Sequence, residues 1–327
     1  MLLSTPLTIK NITFTNRIVM PPMATHSSQE GRINPKLCAH YAARADCGLI
    51  ITEHAYVHQS GMADSKQISV ADDIVLPGLQ QLANAVHAQG SAKLFMQINH
   101  AGSQTNPEIT GTSLLSASSL PHPVLPHGSI PNALSVYQIH ELEHCFAEAA
   151  KRVQQANFDG VEIHSAHGYL LNQFYSPLTN KRDDNYSATT MENRLRFLLE
   201  IIDLVRQKVG TVFPIAVRLG GVDYMEGGSS IEDCVLASQI LAEAGVDLLD
   251  LSGGMCRYTR PGHKETGWFQ DMTLRVKAAV SIPVILTGGI KTAMEAEALL
   301  QKNAADLIGV GRAMLNNAEW AKQALSA

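Results

Sequence analysis

Cysteine is scarce in this sequence, with five residues in 327: Cys38, Cys47, Cys145, Cys234 and Cys256. The number is odd and no two form a CxxC pair, which argues against a disulfide framework, a zinc ribbon or a cysteine-held iron–sulfur cluster and fits a reducing cytosol. Long apolar runs are also missing. Nothing approaches the roughly 18 consecutive apolar residues of a membrane span, and Leu2-Leu3 gives way at once to Ser4, Thr5 and Pro6, so no secretory h-region is expected. Clustered positive charge is absent as well. Net charge is -5, and no segment gathers enough Lys and Arg to track a phosphate backbone, so neither nucleic acid nor membrane is an expected partner. With 45% apolar and 17% charged residues, the composition is that of a folded globular protein, placed in the cytoplasm.

Short β-branched runs alternate with helical-period segments from Asn16 to the end of the chain. Strands are predicted at 17–22, 49–54, 93–99, 160–165, 214–219, 248–252, 283–287 and 307–310, each followed by a helix. Eight such cycles predict an α/β fold, a (β/α)8 TIM barrel formed by residues 1–327 as one domain. Ahead of them, Leu7-Thr8-Ile9 and Ile12-Thr13-Phe14 read as a β-hairpin closing the barrel floor. Connections 100–136, 176–191 and 253–267 are longer than a barrel needs. All three follow C-terminal strand ends, where barrel enzymes build their sites, and are expected to cover a ligand.

Period-two alternation in Val161-Glu162-Ile163-His164 turns Glu162 and His164 into the barrel, and strand five does the same with Ala216 and Arg218. Gln97 lies at the upper end of strand three. Arg, Gln and His therefore converge on the barrel mouth, either as a polar plug or as a site. The last two strands run into Thr287-Gly288-Gly289 and Gly309-Val310-Gly311-Arg312. Bare amides beside a helix N-terminus suit an anion, and barrels often hold a phosphate after strands seven and eight.

These motifs resemble the Old Yellow Enzyme family of FMN-dependent NADH:flavin oxidoreductases and ene-reductases, in its short bacterial form. The resemblance runs along essentially the whole chain. It rests on Asn16-Arg17-Ile18-Val19-Met20-Pro21-Pro22-Met23, on His164-Ser165-Ala166-His167-Gly168-Tyr169-Leu170-Leu171-Asn172-Gln173-Phe174, on Ser176-Pro177-Leu178-Thr179-Asn180, on Glu192-Asn193-Arg194 and on Gly311-Arg312. It implies FMN as cofactor and NADH or NADPH as reductant of an activated C=C bond, in a ping-pong hydride transfer through flavin N5. By the same resemblance Pro21, Pro22, Met23 and Ala24 line the flavin edge with His54, Gln97 meets its pyrimidine ring, and Arg218 lies near N1 and O2. Gly288, Gly289, Gly311 and Arg312 would hold the phosphate end. His164 and His167 would hydrogen-bond the acceptor's carbonyl or nitro oxygen, Tyr169 would protonate the α-carbon, and His26 would touch substrate.

The sequence also departs from the family pattern. Ala24 stands where relatives carry Cys or Thr near flavin O4, His26 where short relatives place a Tyr, and His54 where a small residue is expected. The stretch 186–191 lacks the usual paired glycines, and neither the iron–sulfur segment nor the second nucleotide-binding region of larger relatives is expected.

His140-Glu141-Leu142-Glu143-His144 matches the HExxH zinc pattern. The apolar face of its helix, Ile139, Leu142, Phe146, Ala149 and Val153, lies nearly opposite both histidines, so they are expected in solvent on an outer helix and no metal is expected. His40, His87, His122 and His127 are assigned to the surface by default, while His100, Arg257, Tyr258 and Arg260 are candidates to meet a ligand. Two alternatives remain at this stage: a metal-dependent barrel hydrolase using His164 and His167, and a flavin-binding protein of low turnover. A small molecule is the expected partner, with self-association into a homo-oligomer left open.

Overall fold

The computed structural model describes residues 1–125 and 127–326. Eight parallel strands close on themselves: β1 (Ile18–Met20), β2 (Leu49–Ile51), β3 (Lys93–Asn99), β4 (Gly160–Ser165), β5 (Ile215–Val222), β6 (Leu248–Gly253), β7 (Val284–Thr287) and β8 (Leu307–Gly309). Each pairs with the next, and β8 returns to β1, as a (β/α)8 TIM barrel requires. Helices α1 (Pro35–Ala42), α2 (Leu76–Gln89), α3 (Val136–Gln155), α4 (Met191–Val209), α5 (Ile231–Glu243), α6 (Gln270–Lys277), α7 (Ala293–Gln301) and α8 (Trp320–Ser326) surround it. None of the helices is long and apolar enough to cross a membrane.

Side-chain alternation divides the apolar core in two. Val161, Ile163, Ile215 and Val217 face outward into the strand–helix layer, whereas Val19, Leu49, Ile51, Phe95, Ala216, Leu248, Ile285 and Leu307 fill the lower barrel. The N-terminal hairpin, Leu7–Ile9 paired with Ile12–Phe14, supplies Ile9, Ile12 and Phe14 to that inner cluster. Phe14 packs edge-on to Phe95 with ring centroids 6.3 Å apart, so the floor is sealed by apolar contact.

Strand ends differ from the sequence reading mainly where the backbone turns away to form the mouth. β2 stops at Ile51 rather than 54, because Glu53 and His54 leave the ladder, and a short strand Ala55–Tyr56 pairs with the upper end of β3. β5 runs on to Val222, with a register shift between Gly220 and Val222. The loop 100–136 contains a short helix, Pro107–Thr110, and paired strands Leu115–Ser116 and Asn132–Ala133.

Two histidines correct the surface assignment. His122 is buried because its ring takes up the Gly168 carbonyl at 2.9 Å, at a turn where Gly168 adopts φ +79°. His40 is half-buried against Tyr41, with ring centroids 5.0 Å apart.

Candidate active site

A cavity of about 850 Å³ opens at the C-terminal end of the strands, within the size range of cofactor sites. The segment after β1 lays Pro21, Pro22, Met23 and Ala24 along one wall, and His26 sits at the rim. His54, Gln97, His164, His167, Tyr169 and Arg218 form the deep wall. Gly288, Gly289, Gly311 and Arg312 form the far end.

The deep wall is built by strand register. β5 sets Arg218 level with His164 on β4 and with Asp250 on β6, one step above Glu162. Arg218 Nε lies 3.1 Å from Asp250 Oδ2, and both side chains are almost wholly buried. Gln97 donates to Glu162 Oε1 at 2.7 Å. Two buried carboxyls thus face one guanidinium. Burial and the charge on Asp250 push the Glu162 carboxyl well above its ordinary range, while Arg218 and Gln97 pull the other way. Asp250 is raised by burial, against the pull of Arg218, to about 6. Both carboxyls beside the one guanidinium are therefore displaced toward their protonated forms.

Above the triad the rings converge. His164 and His167 stand nearly perpendicular with centroids 5.0 Å apart, and Tyr169 is 5.1 Å from His164. Burial, reinforced by neighbouring imidazoles and Arg218, lowers both histidines well below their ordinary value, so both are neutral hydrogen-bonding groups. His167 Nε2 is 2.8 Å from Ser252 Oγ on β6, which fixes its ring. Burial raises the Tyr169 phenol, against Arg257 nearby, so it remains protonated at neutral pH.

The far end is a cradle. Gly288 and Gly289 have φ of +149° and +68°, and a Cβ on either would come within 2.8 Å of the Trp268 indole. Arg312 lies over that indole, its guanidinium carbon 5.6 Å from the ring centre. Trp268 Nε1 and Thr287 Oγ1 are buried without a hydrogen-bond partner among the described residues, as is His164 Nδ1 deeper in. A long ligand with an anionic tail and a polar ring would satisfy such groups, and FMN is of that form. Gly289→Ala is expected to lower FMN affinity at least tenfold by equilibrium ultrafiltration. Gly210→Ala, at φ +80° with open space around it, is the control carrying only the backbone strain of about 1–3 kcal/mol.

Several wall residues escaped the sequence reading. Trp268 and Thr287 are two. Ala63, Asp64, Lys66 and Gln67, from the loop after β2, line the mouth, whereas the described residues of loops 100–136 and 176–191 supply nothing to the cavity wall. Those two loops are corrected from covers to buttresses. Ser103 N–H donates to Gln173 Oε1, and Asn180 Nδ2 donates to the carbonyls of Phe174 and Tyr186, contacts that brace the segment after β4. Of the three long loops, only 253–267 reaches the rim, through Tyr258, whose ring is 6.2 Å from His167. His100 faces away, with Nε2 3.0 Å from Ser60 Oγ. Thr25 donates through N–H and Oγ1 to Glu53, so its hydroxyl does not replace a Cys or Thr at Ala24.

The HExxH histidines, His140 and His144, are exposed on α3. Glu143 is buried between α3 and α4 and, with His140 and Glu200, brings three potential ligand atoms within 4.8 Å of one another. His144 takes no part.

A family model described as the NADH:flavin oxidoreductase / NADH oxidase family matches residues 2–326. The chain is 40% identical over 325 residues to an NADH oxidase of Thermoanaerobacter brockii, covering 97% of this chain and 49% of that protein. It is 36% identical over 330 residues to a metal reductase of Desulforamulus reducens, covering 99% of this chain and 49% of that protein. The chain thus spans about half the length of the curated relatives it matches. Among solved structures, morphinone reductase in complex with tetrahydroNAD superposes with a TM-score of 0.86 at 25% identity, covering 98% of this chain and 90% of that one.

Proposed function

Because the chain belongs to the NADH:flavin oxidoreductase / NADH oxidase family, the Old Yellow Enzyme family of its motifs, with FMN as cofactor and NAD(P)H as reductant, we propose that it reduces C=C bonds conjugated to a carbonyl or nitro group. The observation that carries this reading is the convergence of two neutral imidazoles and a protonated phenol on one cavity wall, with the glycine–tryptophan cradle at its far end.

FMN, when bound, supplies two-electron hydride chemistry. Pro21, Pro22, Met23 and Ala24 would shape the wall beside it, and Gln97 would hydrogen-bond its pyrimidine edge. The fixed charge of Arg218 would favour the negative charge that builds up on reduction. Gly288, Gly289, Gly311 and Arg312 would hold its phosphate. His164 and His167 would donate to the acceptor's oxygen and draw electron density from the double bond. Neutral donors suit this task, since the N–H of an uncharged imidazole polarises the oxygen yet is far too weak an acid to be lost to it. Tyr169, 5.1 Å from His164, would deliver the proton to the α-carbon.

A metal-dependent hydrolase would need further ligands beside His164 and His167, but His167 Nε2 is engaged with Ser252. The one three-ligand cluster found among the described residues lies on the outer helices.

Anaerobic mixing tests the reading in two halves. NADH or NADPH should bleach the flavin band, and 2-cyclohexenone should restore it with formation of cyclohexanone. Reduction without reoxidation by any of a panel of enones, nitroalkenes and maleimides would leave a low-turnover flavin protein. In the same assay Tyr169→Phe should slow reoxidation by about 10²-fold or more while sparing the reduction.

A further inference from the structure

His54 follows β2 and stands beside the proposed acceptor pocket, its ring centre 5.1 Å from Tyr169 and 6.1 Å from His164. Its protonation can be worked out from its neighbours. Gln67 Oε1 accepts the Ala63 N–H at 2.7 Å, and Gln67 Nε2 donates to the His54 carbonyl at 3.1 Å. Reversing the Gln67 amide would set donor against donor at Ala63 and acceptor against acceptor at His54, so its orientation is determined twice over. Gln67 Nε2 therefore points its N–H at His54 Nδ1, 2.9 Å away, and Asn99 Nδ2 approaches the same nitrogen at 3.1 Å. Nδ1 accepts.

The ring is neutral near pH 7, because burial, with His26 and Arg218 adding to it, lowers His54 to about 4 despite Asp64. A neutral imidazole that accepts at Nδ1 carries its hydrogen on Nε2. Among the described residues Nε2 has no partner, and His54 lines the cavity. The site thus holds a third imidazole N–H beside His164, at a position where the family pattern leads one to expect a small residue.

We propose that His54 is a specificity-determining donor that reads a second oxygen on the activating group, so that the site favours nitroalkenes over enones of the same skeleton. An enone carbonyl has one oxygen, which His164 and His167 can occupy together. A nitro group has two, held in one plane and flanking the carbon. With only the His164 and His167 pair, the second oxygen would enter a buried pocket without a donor, and an unmet acceptor is costly there. The neutrality of all three rings matches an uncharged two-oxygen group. This inference rests on the ene-reductase reading.

The test compares isosteric acceptors. β-Nitrostyrene and benzalacetone differ only in carrying a nitro or an acetyl group on the same styryl frame. In the holoprotein, His54→Leu should lower kcat/KM for both, and should lower the nitrostyrene to benzalacetone ratio at least tenfold. His54→Gln, which restores an N–H, should recover part of that ratio. An equilibrium arm uses nitrobenzene and acetophenone as unreactive probes, titrated against the oxidised holoprotein and read from the flavin absorption. Wild-type protein should prefer nitrobenzene, and His54→Leu should lose the preference. Equal losses for both members of each pair, or a ratio unchanged within twofold, would overturn the proposal, as would loss of flavin with no change in ratio. If wild-type protein is reoxidised by neither acceptor nor by any of the wider panel, the ene-reductase reading fails, and the equilibrium arm still decides whether His54 reads a second oxygen.

Discussion

Arg218→Leu is expected to cost about 3–5 kcal/mol of folding stability, because it strips the only nearby guanidinium from Asp250 and Glu162 while leaving both inside the barrel. The loss should depend on pH in a definite direction. In the wild-type fold Asp250 titrates at about 6, above the unfolded value near 3.9, so the native state binds more protons between those limits. Stability therefore falls as pH rises through that window and levels off above it. Without Arg218 the opposing pull on Asp250 is gone, and its carboxyl moves further up. The variant should thus be less destabilised at pH 5.5 than at pH 8. Urea denaturation of both proteins at the two pH values measures this, and a cost independent of pH would show that Asp250 does not feel the guanidinium.

The second large effect is expected from His164→Ala. One donor to the oxygen on which charge develops is typically worth about 10²–10³ in rate. Reoxidation by an enone should slow by that factor, while reduction by the nicotinamide, whose ring becomes a cation on giving up hydride and builds no negative charge on its amide oxygen, should change far less. Stopped-flow traces of the two halves separate them. A slowing of under threefold in the acceptor half would remove His164 from the polarising pair.

The inward-facing set of β4 was legible in sequence because alternation with a period of two leaves no choice: once Val161 and Ile163 face the helices, Glu162 and His164 face the barrel. The closing hairpin was legible for the same reason. What fills the space opposite was not. That Glu162 meets Asp250 depends on the register of three strands, and Asp250 reads in sequence as one acidic residue in an apolar run. Trp268 was missed because its value lies in lying under Gly288 and Gly289, which come from the next strand. The mouth loop after β2 was hidden by a run that looks like continuing strand, and it leaves the sheet only because Glu53 turns to Thr25 and Tyr41. His122 looked free for a similar reason, since its partner is a backbone carbonyl that no side-chain pattern announces.

The floor sealed by Ile9, Ile12 and Phe14 leaves the chamber a blind alley. Under the reading proposed above, the donor and the acceptor of electrons would share one doorway, and the first visitor would have to back out before the second could come in. Under the reading proposed here, crowding the protein with either visitor should therefore stall it, the surplus of one barring entry to the other.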